Sequence, residues 1–270
     1  MESTSAVGIY IDAANLQING GYGMKFDILR EFACHDNGKA VRLNIYVTYD
    51  EERARKDNSY RVKTQNYFRT LRDFGYKVII KKFKWYRDEE GQRYAKANAD
   101  LDMAVDALLQ SENLERILMC TGDGDFVQVI RALQNKGCRL EVLAFSNVSA
   151  DLRAEADEYF SGYLVPNLLP VKSKNTIQWG DVNSRVRGTC YHFNQEEHYG
   201  FLRFMKFMKE NLWITDTRRS DSPYDSAFIH ESDIGRQINT DLLPNHDTVF
   251  EFDIVKTKDG LQAKNVEIIV

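Results

Sequence analysis

The chain has 270 residues, 43% of them hydrophobic and 28% charged, with a net charge of −4. That composition belongs to a soluble globular protein with enough length for one large core or two ordinary ones, and no apolar run approaches the roughly 20 residues that span a bilayer. The short acidic start M-E-S-T-S-A is unlike a signal peptide, and Cys34, Cys120, Cys138 and Cys190 show neither a C-x-x-C pair nor His at zinc-ligand spacing. Reduced thiols in a cytoplasmic protein with no membrane partner are the expectation.

Val7–Ile11 is a short apolar run ending at Asp12, the pattern of a buried parallel strand. Similar runs recur at Arg42–Thr48, Lys77–Ile80, Ile117–Cys120 and Arg139–Ala144. Helical periodicity falls between them at Lys25–Cys34, Ser59–Asp73, Leu101–Gln110 and Phe126–Asn135, with Gly75 and Gly137 placed as C-caps. A further helix is expected near Ser149–Tyr159. Strand and helix alternating in this way predict a central parallel sheet covered on both faces.

Residues 166–181 contain Pro, Ser and Lys without a sustained period and read as a linker, separating a first domain at 1–165 from a second at 182–270. Beyond it, short β-type segments at Arg185–Phe193, Gly200–Phe204, Ser226–His230, Val249–Lys256 and Ala263–Val270 predict a small all-β barrel.

The small net charge conceals segregation. Arg53 to Lys96 carries 14 Lys and Arg against 5 Asp and Glu, whereas Ala97 to Asp125 carries 1 basic residue against 7 acidic ones. A basic flank beside an acidic pocket suits a polyanionic substrate cut at a metal site. Within the basic part, Lys81–Lys96 reads as a hairpin turning at D-E-E-G-Q. Lys82, Lys84, Arg87 and Lys96 there would hold phosphates, with Trp85 available to stack on bases.

Four acids sit at separate crossovers: Asp12 after the first strand, Asp100 at the start of a helix, and Asp123 with Asp125 in T-G-D-G-D-F. Taken singly, each can cap a helix or answer its dipole. Together they supply like charge at the sheet edge where open α/β folds bind ligands, and such a cluster calls for a cation. Oxygen donors without His or Cys point to Mg²⁺ or Mn²⁺. Asp102 and Asp106 share a helix face turned away from Asp100, so they are expected outside the inner set. Asn15 is placed to orient a water or phosphate, and Thr121 to support a carboxylate. Ala14, two residues after Asp12, argues against an aspartyl-phosphate D-x-D enzyme. Gly20, Gly21 and Gly23 come too late for a dinucleotide G-x-G-x-x-G.

I-Y-I-D-A-A-N at Ile9–Asn15, K-A-N-A-D-L-D-M-A-V-D at Lys96–Asp106, T-G-D-G-D-F at Thr121–Phe126 and L-R-A-E-A-D-E-Y-F at Leu152–Phe160 resemble, in order, the motifs of the NYN domain, a branch of the PIN-like nucleases. The resemblance implies a PIN-like three-layer α/β/α sandwich and metal-dependent hydrolysis of RNA, most simply as an endoribonuclease. Asp12, Asp100, Asp123 and Asp125 match the family's acidic metal-binding positions, and Asn15 its polar residue after the first strand. Lys96, Ala97 and Asn98 stand where many relatives have Lys-Gly. PIN-like domains often pair, which makes a homo-oligomer an expectation by analogy.

The second part resembles the cold-shock branch of OB-folds through G-T-C-Y-H-F-N at Gly188–Asn194, H-Y-G-F-L at His198–Leu202 and A-F-I-H at Ala227–His230. The resemblance implies single-stranded RNA stacking on Phe193, Tyr199, Phe201, Phe228 and His230. His192 replaces a Trp of that family, and Glu197 with His198 replaces Lys-Gly. Competing with the nuclease reading is an RNA-binding or regulatory adaptor that keeps the fold without turnover.

Overall fold

The computed structural model describes residues 4–87, 90–172, 177–208, 210–235 and 238–270; the side chains of Lys84, Arg87 and 93–96 lie outside the description. Asp88 and Glu89 of the expected hairpin turn lie outside it as well.

Two compact units emerge, one formed by 1–22 with 37–160 and the other by 23–36 with 161–270. The first is built on strands β1 (Ala6–Asp12), β2 (Lys39–Tyr49), β3 (Lys77–Lys82), β6 (Arg116–Cys120), β7 (Arg139–Ala144) and β8 (Glu158–Ser161), with a separate hairpin of β4 (Lys84–Arg87) and β5 (Arg93–Lys96). The six-stranded sheet has the order β3-β2-β1-β6-β7-β8 and is parallel from β3 through β7. β1 and β6 are central, and all their residues from Val7 to Asp12 and Arg116 to Cys120 are buried. That accounts for their continuous apolar runs, because a strand covered on both faces has no polar side to alternate with.

Helices α1 (Ala13–Leu16), α3 (Glu51–Lys56), α4 (Asn58–Asp73), α5 (Ala99–Gln110), α6 (Val127–Asn135) and α7 (Ala150–Glu155) connect these strands, while α2 (Phe26–Ala33) falls in the second unit. α5 and α6 put Met103, Ala107, Ile130 and Leu133 against Tyr10, Ile117, Met119, Leu140 and Val142 in one core. Fully burying each large aliphatic side chain contributes about 1.5–3 kcal/mol. Gly75 and Gly137 take positive φ (89° and 91°) after α4 and α6, the left-handed C-cap conformation the sequence anticipates. Three elements differ from expectation. α3 was not foreseen, and the helix expected to reach Tyr159 stops at Glu155, after which Glu158–Ser161 joins the sheet edge.

The second unit contains a closed five-stranded barrel of β9 (Arg185–Asn194), β10 (Tyr199–Met205), β11 (Tyr224–His230), β12 (Asn245–Lys256) and β13 (Leu261–Ile268). Its order is β9-β10-β11-β13-β12 closing on β9, with β11 and β13 parallel and the other pairs antiparallel, an OB-fold arrangement. Val186, Leu202, Phe204, Ile229, Phe250 and Phe252 fill its interior.

The described parts of 166–181 are packed onto this unit. Leu168, Leu169 and Trp179 are buried, and the Trp179 indole N–H donates to the Met205 carbonyl at 2.8 Å. Fully buried Glu251 accepts from Arg185 (2.8 Å), from Arg187 (2.9 Å) and from the Lys172 backbone N–H (3.0 Å), and Arg187 also donates to the Pro170 carbonyl at 2.7 Å. Burial works against the Glu251 charge, yet the Arg185 and Lys172 hydrogen bonds and the Arg187 charge hold its carboxyl below the usual range. Two guanidiniums thus share one buried carboxylate, and the connecting segment is tied to it.

Candidate acidic site and aromatic face

Strand register assembles the acidic site. Ile11 of β1 is paired with Cys120 of β6, so Asp12 and Thr121 leave the sheet side by side at its C-terminal edge. Asp12, only 5% exposed, caps α1 by accepting the Asn15 N–H at 3.0 Å. The Asn15 side-chain oxygen reaches across to accept the Gly122 N–H at 2.9 Å, joining the two crossovers with one amide. Thr121 is fully buried, and its hydroxyl oxygen accepts the Asp123 N–H at 3.2 Å. Asp123 in turn accepts the Asp125 N–H at 3.0 Å and caps the next turn.

The glycines of T-G-D-G-D-F have a steric reason. A Cβ on Gly124 would lie 2.8 Å from the Ser149 hydroxyl, and one on Gly122 would lie 3.3 Å from the Asn147 carbonyl oxygen. The loop sits directly on the start of α7. Asp100 is in the first turn of α5, a helix fastened to the sheet by the Tyr46 hydroxyl donating to Asp106 at 2.8 Å. Asp102 is engaged outside the set by Lys81 at 2.5 Å.

The four acids influence one another electrostatically. Burial raises the Asp12 carboxyl to about 6; the Asn15 N–H opposes that shift, and the charges of Asp100 and Asp123 add to it. Asp100 is raised by desolvation first and then by Asp123 and Asp125. Among the described residues, no Lys or Arg opposes either shift. Among the described residues, no three His, Cys, Asp or Glu side chains are drawn together as a ready-made ligand set. Mutually repelling carboxylates are expected to stand apart until a cation draws them in, and a donor set of carboxylate oxygens alone fits a hard divalent ion.

Of the residues expected on the basic flank, Lys82 is paired with Glu51 at 2.6 Å and Trp85 exposes 37% of its surface; the neighbouring Tyr86 exposes 45%. Lys84, Arg87 and Lys96 lie on the hairpin strands, but their side chains lie outside the described residues.

On the barrel, Tyr199, Phe201 and Phe228 form a contiguous aromatic face, with centroids 5.6 Å apart for Tyr199–Phe228, 5.8 Å for Phe201–Phe228 and 6.2 Å for Tyr199–Phe201. His230, exposed at the end of β11, is bonded to the Ser232 hydroxyl at 2.9 Å. Phe193 is 7% exposed and belongs to the barrel core, so its ring fills the interior and not this face. Tyr191 and His192 instead join the face, each about 6 Å from Phe201 (6.4 and 6.2 Å). The register between β9 and β10 shifts at Phe201/Leu202, and a bulge lets consecutive residues serve one face. Period-two alternation cannot reveal that, which is why Tyr191 escapes a reading of the sequence.

A six-stranded, mainly parallel sheet with its connecting helices defines a PIN-like α/β domain, and the closed five-stranded barrel is a second, OB-type module. The sequence profile of the NYN domain matches residues 6–167. The chain therefore belongs to the NYN domain family, a PIN-like nuclease family. It is similar to the low amplitude and bright protein LabA of Synechococcus elongatus, with 29% identity over 163 residues, covering 57% of this chain and 82% of that protein. A Vibrio parahaemolyticus protein of unknown function is 20% identical, covers 59% of this chain and 94% of its own, and superposes with a TM-score of 0.49.

Proposed function

We propose that the NYN unit hydrolyses phosphodiester bonds of RNA as a cytoplasmic, divalent-metal-dependent endoribonuclease, and that the aromatic face of the barrel binds single-stranded RNA. The observation that carries the first part is the set Asp12, Asp100, Asp123 and Asp125: acids from three crossovers, two of them, Asp12 and Asp100, raised by burial and by the like charge of other members of the set. These four would hold Mg²⁺ or Mn²⁺. Such an ion, when bound, supplies charge neutralisation at the scissile phosphate and a water of lowered pKa.

The chain's own residues perform the positioning. Asn15 keeps the Asp12 crossover against Gly122, and Thr121 fixes the backbone of Asp123, so the carboxylates sit on a braced frame. The exposed Trp85 and Tyr86 offer ring surface to the strand being cut, and Lys82 would exchange its Glu51 partner for a phosphate. On the barrel, Tyr199, Phe201 and Phe228 would stack bases, and Lys256 and Lys258, exposed around the β12–β13 turn, would meet phosphates.

Cleavage of a generic single-stranded RNA in Mn²⁺ is the direct test. Asp12→Asn combined with Asp123→Asn is expected to abolish cutting while leaving RNA binding in place. Undiminished cleavage by the double variant would remove the assignment. Manganese binding by calorimetry without any cleavage would favour the adaptor that retains the NYN fold.

A further inference from the structure

We infer that the groove beside Phe201 and Phe228 is a guanine pocket, in which Asp259 accepts from the N1–H and N2–H edge of a base stacked on the aromatic face. The inference rests on the proposed binding of single-stranded RNA by the barrel and names the base it selects.

The groove has a volume of about 640 Å³ and is lined by Phe201, Phe228 and Leu261 on its apolar side and by Asp225, Asp259 and Gln262 among its polar residues. That volume is within the roughly 300–1,000 Å³ of sites that take small molecules. Among the described residues neither Lys nor Arg lines it, so this lining suits the base of a nucleotide and not its phosphate. The groove is continuous with the stacking surface, because Phe201 and Phe228 belong to both and are direct cross-strand partners, and Phe228 is also paired with Gln262 of β13.

The two carboxylates differ. Asp225 is engaged: Oδ1 accepts the Ser226 N–H at 2.8 Å, and Oδ2 lies 3.6 Å from the Lys206 ammonium. Asp259 is exposed on the β12–β13 turn and has no partner among the described residues. The turn itself is braced, since the Gly260 carbonyl accepts from both the Thr257 N–H (2.8 Å) and the Thr257 hydroxyl (3.0 Å). A braced turn thus places an exposed carboxylate, not engaged by any described side chain, at the rim of an aromatic groove.

An ionised carboxylate only accepts hydrogen bonds. Uracil offers one N–H between two carbonyls, and cytosine and adenine each place their amino group beside an acceptor nitrogen. Guanine alone among the four bases presents two adjacent N–H donors, matching both oxygens of one carboxylate. The same carboxylate repels the carbonyl oxygens of uracil, so selection comes from attraction and from repulsion.

The test uses the full chain in EDTA, which withholds the metal, and fluorescently labelled RNA hexamers read by anisotropy. A uridine hexamer carrying one guanosine is expected to bind about tenfold tighter than the all-uridine hexamer. Inosine at that position, which keeps N1–H and lacks the amino group, should lose several-fold of the gain. Asp259→Asn should bring the guanosine and all-uridine hexamers within about twofold of each other, whereas Phe228→Ala should weaken all hexamers alike. Equal binding of the three hexamers, or an unchanged guanosine preference in Asp259→Asn, would overturn the pocket and leave RNA binding by the barrel standing. Loss of nothing in Phe228→Ala, or no binding of any hexamer, would overturn both.

Discussion

Asp12 carries the conflict on which the proposed chemistry depends. In the fold its carboxyl is raised to about 6 from an ordinary value of 3.8, first by burial and then, against the Asn15 N–H, by Asp100 and Asp123. A group raised in this way favours the fold while protonated and loses that contribution as pH climbs from its unfolded value through about 6. Metal-free Asp12→Asn should therefore be more stable than the parent at pH 7, by on the order of 2 kcal/mol, with the difference closing near pH 4. Urea titrations at the two pH values check it, and a destabilised variant at pH 7 would contradict the electrostatic account. Asn15 works in the opposite sense. Asn15→Ala leaves the Gly122 N–H without its acceptor, so a loss of about 1–2 kcal/mol is expected together with at least a tenfold fall in cleavage, measured by denaturation and by turnover. The residue types at both positions were legible in I-Y-I-D-A-A-N; the bond from Asn15 to a loop 107 positions away was not, because a side-chain amide carries no mark of its distant partner.

Elements differ in how much they declare. β1 and β6 are buried on both faces, so their apolar runs announce them, and the glycines closing α4 and α6 mark their ends. β8 follows a short helix with no turn signal strong enough to break the pattern, and its pairing at the sheet edge was decided by tertiary contact. In the barrel the informative element is the pair β9 and β12, joined through Glu251. Its carboxylate is fully buried between Arg185 and Arg187, and Glu251→Gln would leave Arg187 without its counter-charge among the described residues and Arg185 with only the more exposed Asp253 and Glu267. A loss of about 3–5 kcal/mol is expected, read as a lowered midpoint in thermal denaturation followed at the tryptophans. A change under 1 kcal/mol would mean that the ion network stabilises little.

For the molecule as a whole, the OB-type unit extends beyond its five strands. Trp179 enters the barrel core, and the strands hold the preceding segment through Pro170 and Lys172. A fragment starting at Val182 should therefore lack a cooperative unfolding transition that the full chain shows for this unit, and hydrophobic dye binding should rise. A sharp transition in that fragment would show the strap to be dispensable. No helix among the described residues is long and apolar enough to cross a membrane.

By itself the sequence determined the chain order of acids, the alternation of strand and helix and the switch to short β segments, because these depend on local periodicity and on the order of residue types along the chain. Only the tertiary structure decided which aromatics share the barrel face, that Phe193 belongs inside it, that Asp259 rims a groove with Phe228, and that the segment before the barrel is anchored. Each of those depends on register, bulges and barrel closure, which are settled by packing among residues far apart in the chain.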